Sequence, residues 1–135
     1  MAQWKQLTEF VVRLPHRTGE LARLSAQLRA ASVEIVAFFG PSEGKAADGF
    51  HLIPGDAERF RAFASETGLE TWEEPCFHLS DAHHDGDLVA RLDQIASAGI
   101  NIQFAMALEA GGQFGLMIWV DDEDVDRLAR LLGAT

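Results

Sequence analysis

The sequence of 135 residues contains one cysteine and no tyrosine. A single cysteine, Cys76, cannot build an internal disulfide framework, and this usage is typical of a reducing compartment. No apolar run approaches the roughly 20 residues that a membrane-spanning helix needs. The start of the sequence also lacks the basic and apolar segments of a secretory signal. We therefore expect a cytoplasmic protein with no membrane partner.

Basic residues are also scarce. Lys and Arg number 11 against 21 Asp and Glu, which gives a formal net charge of −10 at pH 7. Nucleic acids and anionic membrane surfaces both require clustered basic side chains, which this sequence does not have. We expect no nucleic-acid partner. A small zwitterion stays compatible with the negative charge, because backbone amides can bind its carboxylate locally.

Signals for catalysis and for cofactor binding are weak. The sequence has neither the GxGxxG nor the GxxxxGK[ST] glycine pattern that binds phosphates. Cys76 follows a proline at the start of an alternating apolar segment, where a small buried hydrophobe is the usual role. His51 and His78 fall in predicted strands, but no spacing pairs them with a carboxylate. The sequence favours a protein that is not an enzyme and holds no cofactor.

The two halves of the sequence repeat each other. Gly19 and Gly86 occur in the matching contexts Thr-Gly-Glu-Leu and Asp-Gly-Asp-Leu, 67 positions apart. The same offset aligns apolar residues along both halves, and after one insertion it also aligns Arg59 with Arg127. The aligned apolar pairs are Phe10 with Phe77, Val12 with Leu79, Leu28 with Ile95, Val33 with Ile100, and Ile35 with Ile102. The chain is therefore a duplicated unit.

Each half predicts a strand, a turn containing histidine, and an amphipathic helix. Alternation over 10–14 and 77–80 indicates half-buried strands, and leucine spacing over 21–28 and 88–95 indicates the helices. Thr18 and Asp85 are predicted N-caps. Gly99 suits the left-handed residue that ends a helix.

The second part of each half predicts a hairpin and another helix. Strands over 35–39 and 102–106 come first, and the Gly-Gly pair at 111–112 makes a tight turn into the strand at 114–120. The first half replaces that turn with a longer segment over 40–49, which we expect to be more mobile. Asp56 and the acids over 121–124 are predicted at helix starts, where negative charge is favoured. A cation site is the alternative for the 121–124 run.

The two halves end differently. The first closes with a predicted strand over 69–73, which Pro75 interrupts, whereas the second has no residues left for a fourth strand after its last helix. An unpaired sheet edge is usually covered. We predict two units, residues 1–74 and 75–135, and a second chain or lobe that covers the open edge.

This order of elements, together with Gly-Ile-Asn-Ile at 99–102, resembles the ACT domain family. The resemblance implies an α+β fold of two tandem ferredoxin-like βαββαβ units, the second without its last strand, with antiparallel sheets and helices on one face. It also implies a stand-alone tandem ACT protein that forms a homodimer, binds an amino acid and regulates other enzymes through lobe or subunit interfaces. The first half departs from the family at Ser32 and Glu34, and both halves lack the usual proline before the turn glycine.

The resemblance also implies where a ligand binds. Free amides at a helix start can bind a carboxylate, and a glycine there lets the ligand approach the backbone. Asn101 offers both a donor and an acceptor to a zwitterion, whereas Glu34 at the matching position would repel a carboxylate. The implied ligand-binding residues are His83, His84, Asp85, Gly86, Asp87, Asn101 and Ile102 in the second half, and His16, Arg17, Gly19 and Glu20 in the first.

Three other functions stay open from the sequence. The same fold could act as an oligomerising homodimer module with a vestigial ligand site, or as a small ferredoxin-like enzyme. A metal-responsive protein is the third, because imidazoles and carboxylates cluster in one loop, although their spacing matches no chelating pattern. The residues of this alternative metal site are Asp81, His83, His84 and Asp85.

Overall fold

The computed structural model describes residues 3–15, 17–40, 49–81 and 87–135. Six strands and four helices follow one another in the order predicted for the repeat. They are β1 (Gln3–Arg13), α1 (Glu20–Ala30), β2 (Ile35–Phe39), β3 (Gly49–Pro54), α2 (Ala57–Thr67), β4 (Thr71–Asp81), α3 (Asp87–Ser97), β5 (Ile102–Ala110), β6 (Gln113–Val120) and α4 (Val125–Leu132), the last preceded by a 3₁₀ turn (Asp122–Asp124).

The chain divides into two compact units. The first unit is Leu7–Glu74, and the second unit is Pro75–Thr135 together with the N-terminal segment that ends at Gln6. Hydrogen-bonded strands follow the order β2-β3-β1-β4 in the first unit and β1-β4-β6-β5 in the second. Both β1 and β4 are thus divided between units. The domain ranges 1–74 and 75–135 stay a prediction.

In the first unit both helices pack on one face of the sheet. Phe10 and Val12 alternate along β1 and are fully buried, so they point to the same side. They join one hydrophobic cluster with Leu24 of α1 and Phe60 of α2. The predicted ferredoxin-like α+β class, with helices on one face, is confirmed in this unit.

The second unit repeats this arrangement with a more aliphatic core. Phe77 and Leu79 of β4 pack with Ile95 of α3 and Leu128 of α4. Trp4 joins the same cluster and is buried. The offset of 67 therefore aligns residues that play matching roles in the two cores.

The N-terminal part of β1 takes the position of a fourth strand in the second unit. The Gln6 amide donates to the Thr135 carbonyl at 2.9 Å, and the Thr135 amide donates to the Trp4 carbonyl at 3.2 Å. The edge of β4 that faces β1 is therefore paired within the chain. The cover that the sequence analysis expected is thus a strand that it had assigned to the other lobe, and this edge needs no second chain.

The helix ends differ in part from the predictions. Thr18 does not cap α1, because Gly19 occupies the N-cap position with φ +89° and no side chain caps the helix. Asp56 caps α2 as predicted, accepting from the Arg59 amide at 3.2 Å. Gly99 takes φ +74° after α3, as predicted. The predicted N-cap Asp85 lies outside the described residues.

Two further predictions concern Pro75 and the segment over 40–49. Pro75 does not interrupt a strand, since β4 continues through it from Thr71 to Asp81. Proline lacks only the amide donor, so a strand can include it where the ladder does not use that donor. Residues 41–48, which carry the predicted mobile turn, lie outside the described residues.

Matching arginines tie the two helices together in each unit. In the first unit, Arg59 of α2 donates to the Ser32 carbonyl at 3.2 Å, just beyond α1. In the second, Arg127 of α4 donates to the Ala98 carbonyl at 3.0 Å, just beyond α3. Each cation satisfies a carbonyl near a helix C-terminus, where positive charge is favoured. The repeat therefore extends to polar contacts.

Candidate ligand site

Asn101 lies at the point where the chain leaves α3 and enters β5. Gly99 donates to the Ala96 carbonyl at 2.9 Å, and buried Ile100 donates to the Ile95 carbonyl at 3.3 Å. These bonds hold the backbone directly before Asn101. Its side chain is exposed, and among the described residues no hydrogen bond engages its amide. Ile102 follows as the first residue of β5 and pairs with Val120. The amide is therefore available to a ligand.

The turn that the sequence assigns to the same site is only partly described. His83, His84, Asp85 and Gly86 lie outside the described residues, and Asp87 is described as the first residue of α3. Asp81 ends β4 with its carboxylate 3.6 Å from Nη2 of Arg91. This contact places a cation beside one of the four residues of the alternative metal site. The structure therefore describes Asp87, Asn101 and Ile102 of the predicted second-half site, and the site itself stays a prediction.

The corresponding residues of the first unit carry their own ion pair. Nη2 of Arg17 lies 3.1 Å from Oε1 of Glu20 in the first turn of α1. Gly19, between them in sequence, has open space around the position of a Cβ atom. His16 lies outside the described residues. A carboxylate ligand here would have to compete with Glu20 for Arg17, which favours unequal sites in the two units.

Glu34 occupies the position that matches Asn101. It is exposed, and its backbone carbonyl accepts from the Gly55 amide at 3.0 Å. Its carboxylate adds a negative charge where the second unit has a neutral amide. Both side chains are exposed in the folded chain, so a ligand would meet a carboxylate at Glu34 and a neutral amide at Asn101.

A cleft in the first unit was not singled out by the sequence. It encloses about 340 Å³ between the end of β1, α1 and the segment after α2. Arg13 and Arg23 line it, and Nε of Arg13 lies 2.9 Å from Oε2 of Glu70. Its other lining residues are Pro15, Leu24, Gln27, Thr67, Gly68, Leu69 and Glu70. These residues come from three separate segments, so no sequence spacing could have indicated the cleft.

A buried carboxylate in the first unit was also missed by the sequence analysis. Glu9 is only 3% exposed, and its carboxylate is hydrogen-bonded to Nδ1 of His51. The His51 ring stacks on Phe39 with 4.6 Å between ring centroids and 1° between planes. The three residues lie on β1, β3 and β2. The sequence placed His51 in a strand, but it could not identify the acidic partner of His51, because that partner depends on strand register.

The acids over 121–124 lie at the start of α4, as predicted. Asp124 contacts Nη2 of Arg127 at 2.7 Å, and Nε2 of Gln103 donates to Asp121. Oxygens of Asp121, Glu123 and Asp124 lie within 4.8 Å of one another. Neither Asp121 nor Asp124, the two N-cap residues, makes a side-chain cap bond to the helix start. Their role there is electrostatic, because the helix N-terminus carries partial positive charge.

The described part of the chain contains no helix that is both long and apolar enough to cross a membrane. No protein-family model and no curated protein matches the sequence. Solved structures do match. Protein BT0572 from Bacteroides thetaiotaomicron is similar with a TM-score of 0.73 and 13% identity, over 98% of this chain and 88% of that chain.

Two further structures are of aspartate kinases. The ligand-free regulatory subunit from Thermus thermophilus gives a TM-score of 0.60 and 14% identity, over 98% of this chain and 94% of that chain. Aspartokinase III of E. coli in complex with lysine and aspartate gives 0.53 and 14%, over 97% of this chain and 32% of that chain. At these identities the likeness establishes the fold, which is the ACT-like ferredoxin fold of aspartate kinase regulatory domains.

Proposed function

We propose that this chain is a tandem ACT-type regulatory module that binds an amino acid and is not itself an enzyme. Asn101 carries the proposal, because its exposed amide stands directly before β5 on a backbone held by Gly99 and Ile100. The similarity to a regulatory subunit over 94% of that subunit's length supports a regulatory role over a catalytic one. We place the protein in the cytoplasm, in keeping with its single cysteine.

The proposed site combines the Asn101 amide with the start of α3. An amide side chain can donate to a ligand carboxylate through its nitrogen and accept from an ammonium through its oxygen. Backbone amides at the start of α3, Gly86–Asp87 in the sequence, would bind the carboxylate with the aid of the helix dipole. The bound lysine and aspartate of aspartokinase III are ligands of this chemical class. A zwitterion is therefore the proposed ligand.

We propose further that the protein forms a homodimer through β5. This nine-residue strand lies at the edge of its sheet, where unpaired backbone groups offer a template for another strand. Phe104 is 49% and Leu108 is 69% exposed on it, and its one charged residue is Glu109. Proteins usually protect a long exposed edge with charge or proline. A second copy of β5 would cover these apolar side chains, and Asn101 would then lie beside the subunit interface.

Thermal unfolding with each of the twenty amino acids tests the proposal. A ligand at a hundredfold over its Kd stabilises the folded state by about 2.7 kcal/mol, a readily measured shift. We expect one amino acid to stabilise the protein and Asn101→Ala to abolish the effect. Arg23→Ala is the matched control, since it alters the cleft of the first unit and should leave the shift unchanged.

Three other results would each contradict amino-acid binding at Asn101. A shift lost in Arg23→Ala but kept in Asn101→Ala would move the ligand to the cleft. No shift with any amino acid, together with a dimer in light scattering, would favour the interaction module. A shift with a divalent metal alone, lost in the His83→Ala/His84→Ala variant, would favour the metal-responsive protein.

The dimer has its own test. Leu108→Lys places a charge on the exposed edge strand and should convert a dimer into a monomer in light scattering at micromolar concentration. Val89→Lys is the matched control, because Val89 is 63% exposed on α3 and not on the edge strand. A monomeric wild-type protein would contradict the dimer, and so would a Leu108→Lys variant that stays dimeric.

A further inference from the structure

Four side chains with sulfur or nitrogen atoms that can bind metal ions lie on the face of the second unit's sheet that carries no helix. Phe77 and Leu79 of β4 point to the helices, so Cys76 and His78, which alternate with them, point to the opposite face. Met117 of β6 is the direct cross-strand partner of His78. Met106 of β5 is in turn the direct partner of Met117. One imidazole, two thioethers and one thiol therefore share a single face.

Strand register brings these donors within reach of one another. Directly paired residues of an antiparallel sheet have Cβ atoms about 4.5–5.5 Å apart. His78, Met117 and Met106 consequently form one continuous row across three strands, and Cys76 lies two residues from His78 along β4. Methionine is long and unbranched with three rotatable bonds, so both thioethers can turn towards a common point.

We propose that Cys76, His78, Met106 and Met117 form a binding site for a soft monovalent cation of the copper(I) class. Thiolate, thioether and imidazole are the ligands that copper(I) prefers, whereas magnesium, calcium and manganese prefer oxygen. Binding would transfer the thiol proton of Cys76 to solvent and form a sulfur–metal bond. The thiolate and the cation then neutralise each other, and no electron is transferred.

Burial favours a monovalent ion over a divalent one. Cys76 is fully buried and Met117 is 4% exposed, whereas His78 and Met106 are half-buried and leave a route from solvent. A neutral thiolate–copper(I) pair has a smaller desolvation cost than a pair that retains net charge.

The first unit provides an internal contrast. Its matching positions hold Glu9 for Cys76, Val11 for His78, Phe39 for Met106 and His51 for Met117, so that face has no sulfur donor. The proposed donor set therefore belongs to the second unit alone. It also shares no residue with the alternative metal site at Asp81, His83, His84 and Asp85, whose carboxylates suit harder cations.

The test measures copper(I) affinity of the full reduced chain without oxygen, by competition with a chromophoric copper(I) chelator. We expect one ion per chain and a loss of binding in Cys76→Ala. Met106→Leu/Met117→Leu keeps the cysteine and nearly conserves volume. Its affinity should fall on the order of a hundredfold, about tenfold for each thioether removed. The His83→Ala/His84→Ala control should bind as the wild type does.

Two results would overturn the proposal. Equal affinity in the wild type and the double methionine variant would mean that neither thioether binds the ion, and no competition by the wild type would mean that there is no site. Methionine methyl NMR gives an independent readout. The methyl signals of Met106 and Met117 should shift on silver(I) or copper(I) addition, with Met1 as the internal reference.

Discussion

The two units share one scaffold and differ on the face of the sheet that carries no helix. On the helix side, aligned residues such as Phe60 and Leu128 are fully buried in equivalent cores. On the other side, the buried Glu9 of the first unit corresponds to the buried Cys76 of the second, and His51 corresponds to Met117. The two units thus share a buried apolar core beneath the helices and differ in the side chains on the opposite face of the sheet.

This difference indicates where function can diverge within a repeat. Core positions are constrained by packing density, because a change of even one methylene is felt by the neighbours. A position outside that core is constrained only by the need to satisfy or remove buried polarity. The first unit retains a carboxylate–imidazole pair, and the second replaces it with sulfur. Substitutions at aligned positions can therefore show how much each face of the sheet contributes to the free energy of unfolding.

The largest effect is expected from truncation in the helix-facing cores. Phe60 lies 4.4 Å from Phe10 and 6.0 Å from Phe63 between ring centroids, whereas the aligned Leu128 packs among aliphatic side chains. We expect Phe60→Ala to lower the free energy of unfolding by about 3–5 kcal/mol and Leu128→Ala by about 2–5 kcal/mol. Urea denaturation followed by circular dichroism measures both.

The tryptophans report on the units separately in the same experiment. Trp72 belongs to the first unit, and Trp4 and Trp119 belong to the second. Variants that retain only one of these fluorophores would reveal which unit each truncation loosens. A loss below 1 kcal/mol for either truncation would contradict the matching burial of Phe60 and Leu128, since such a loss is too small for a buried cavity of this size.

A smaller effect is expected from the Glu9–His51 pair. His51→Leu leaves the buried Glu9 carboxylate without its hydrogen-bond partner, and we expect a loss of about 1–3 kcal/mol. The variant Glu9→Cys/His51→Met introduces the residues of the second unit and removes both polar groups. Because no group is then left unsatisfied, its loss should be smaller than that of His51→Leu.

A double-mutant cycle measures the interaction between these two residues. Its members are the wild type, Glu9→Cys, His51→Met and the double variant, each followed by urea denaturation. Its control in the same unit is Arg13→Leu, which removes an ion pair with Glu70 in which both side chains are about half exposed. Exposed pairs contribute about 0–1 kcal/mol, so the control should change little. Strict additivity of Glu9→Cys and His51→Met would contradict a direct interaction.

The sequence predicted the helix-facing apolar residues but not the polar contacts between strands. Period-two and helical spacing predicted all four helices and the apolar residues that face them, because burial repeats with the geometry of each element. The sequence missed that β1 begins at Gln3 and serves both units, since its early residues include polar ones and strand pairing is non-local. It also missed Glu9 as the partner of His51, because 42 residues separate them.

The candidate ligand site stays a prediction, and the structure describes only part of its geometry. Asn101 was visible as the residue between a helix-ending glycine and a strand, and the structure places it there with an exposed side chain. Thr18 was wrong as an N-cap because the adjacent Gly19 takes a positive φ that the pattern does not encode. The Arg13–Arg23 cleft could not be predicted, since it forms from three segments that meet only after folding.

A further effect, of about 1 kcal/mol, is expected where the helix-ending glycine is lost. Ser32 has φ +57°, and its aligned residue Gly99 has φ +74°. A left-handed backbone costs a residue with a side chain about 1–2 kcal/mol, a cost that glycine avoids. Ser32→Gly should therefore stabilise the protein by about 1 kcal/mol or less, because glycine also gains entropy in the unfolded chain.

The reciprocal substitution completes the comparison. Gly99→Ser should destabilise the protein by about 1 kcal/mol, since open space surrounds Gly99 and backbone strain is the only cost. Thermal unfolding of Ser32→Gly, Gly99→Ser and the double variant measures both signs. A destabilised Ser32→Gly variant would mean that the serine side chain contributes more than its backbone conformation costs.

The smallest effect concerns His78, whose aligned residue in the first unit is Val11. Burial first and the Lys5 ammonium second lower the pKa of His78 below its ordinary value of 6.5. The unfolded chain therefore binds a proton at a higher pH than the folded chain does. His78 should contribute its full stability above pH 6.5 and lose it as the pH falls through 6.5 towards the lower folded pKa.

His78→Val transfers the residue of the first unit and removes this titration. Between pH 7.5 and 5.5, the free energy of unfolding should decrease less in the variant than in the wild type, because the variant has one fewer group that protonates preferentially in the unfolded chain. Urea denaturation at several pH values measures this difference. Lys5→Met should remove only part of the pH dependence that His78 causes in the wild type, because burial is the larger cause of the lowered pKa. Identical pH profiles for the wild type and His78→Val would contradict a lowered pKa of the half-buried His78 imidazole.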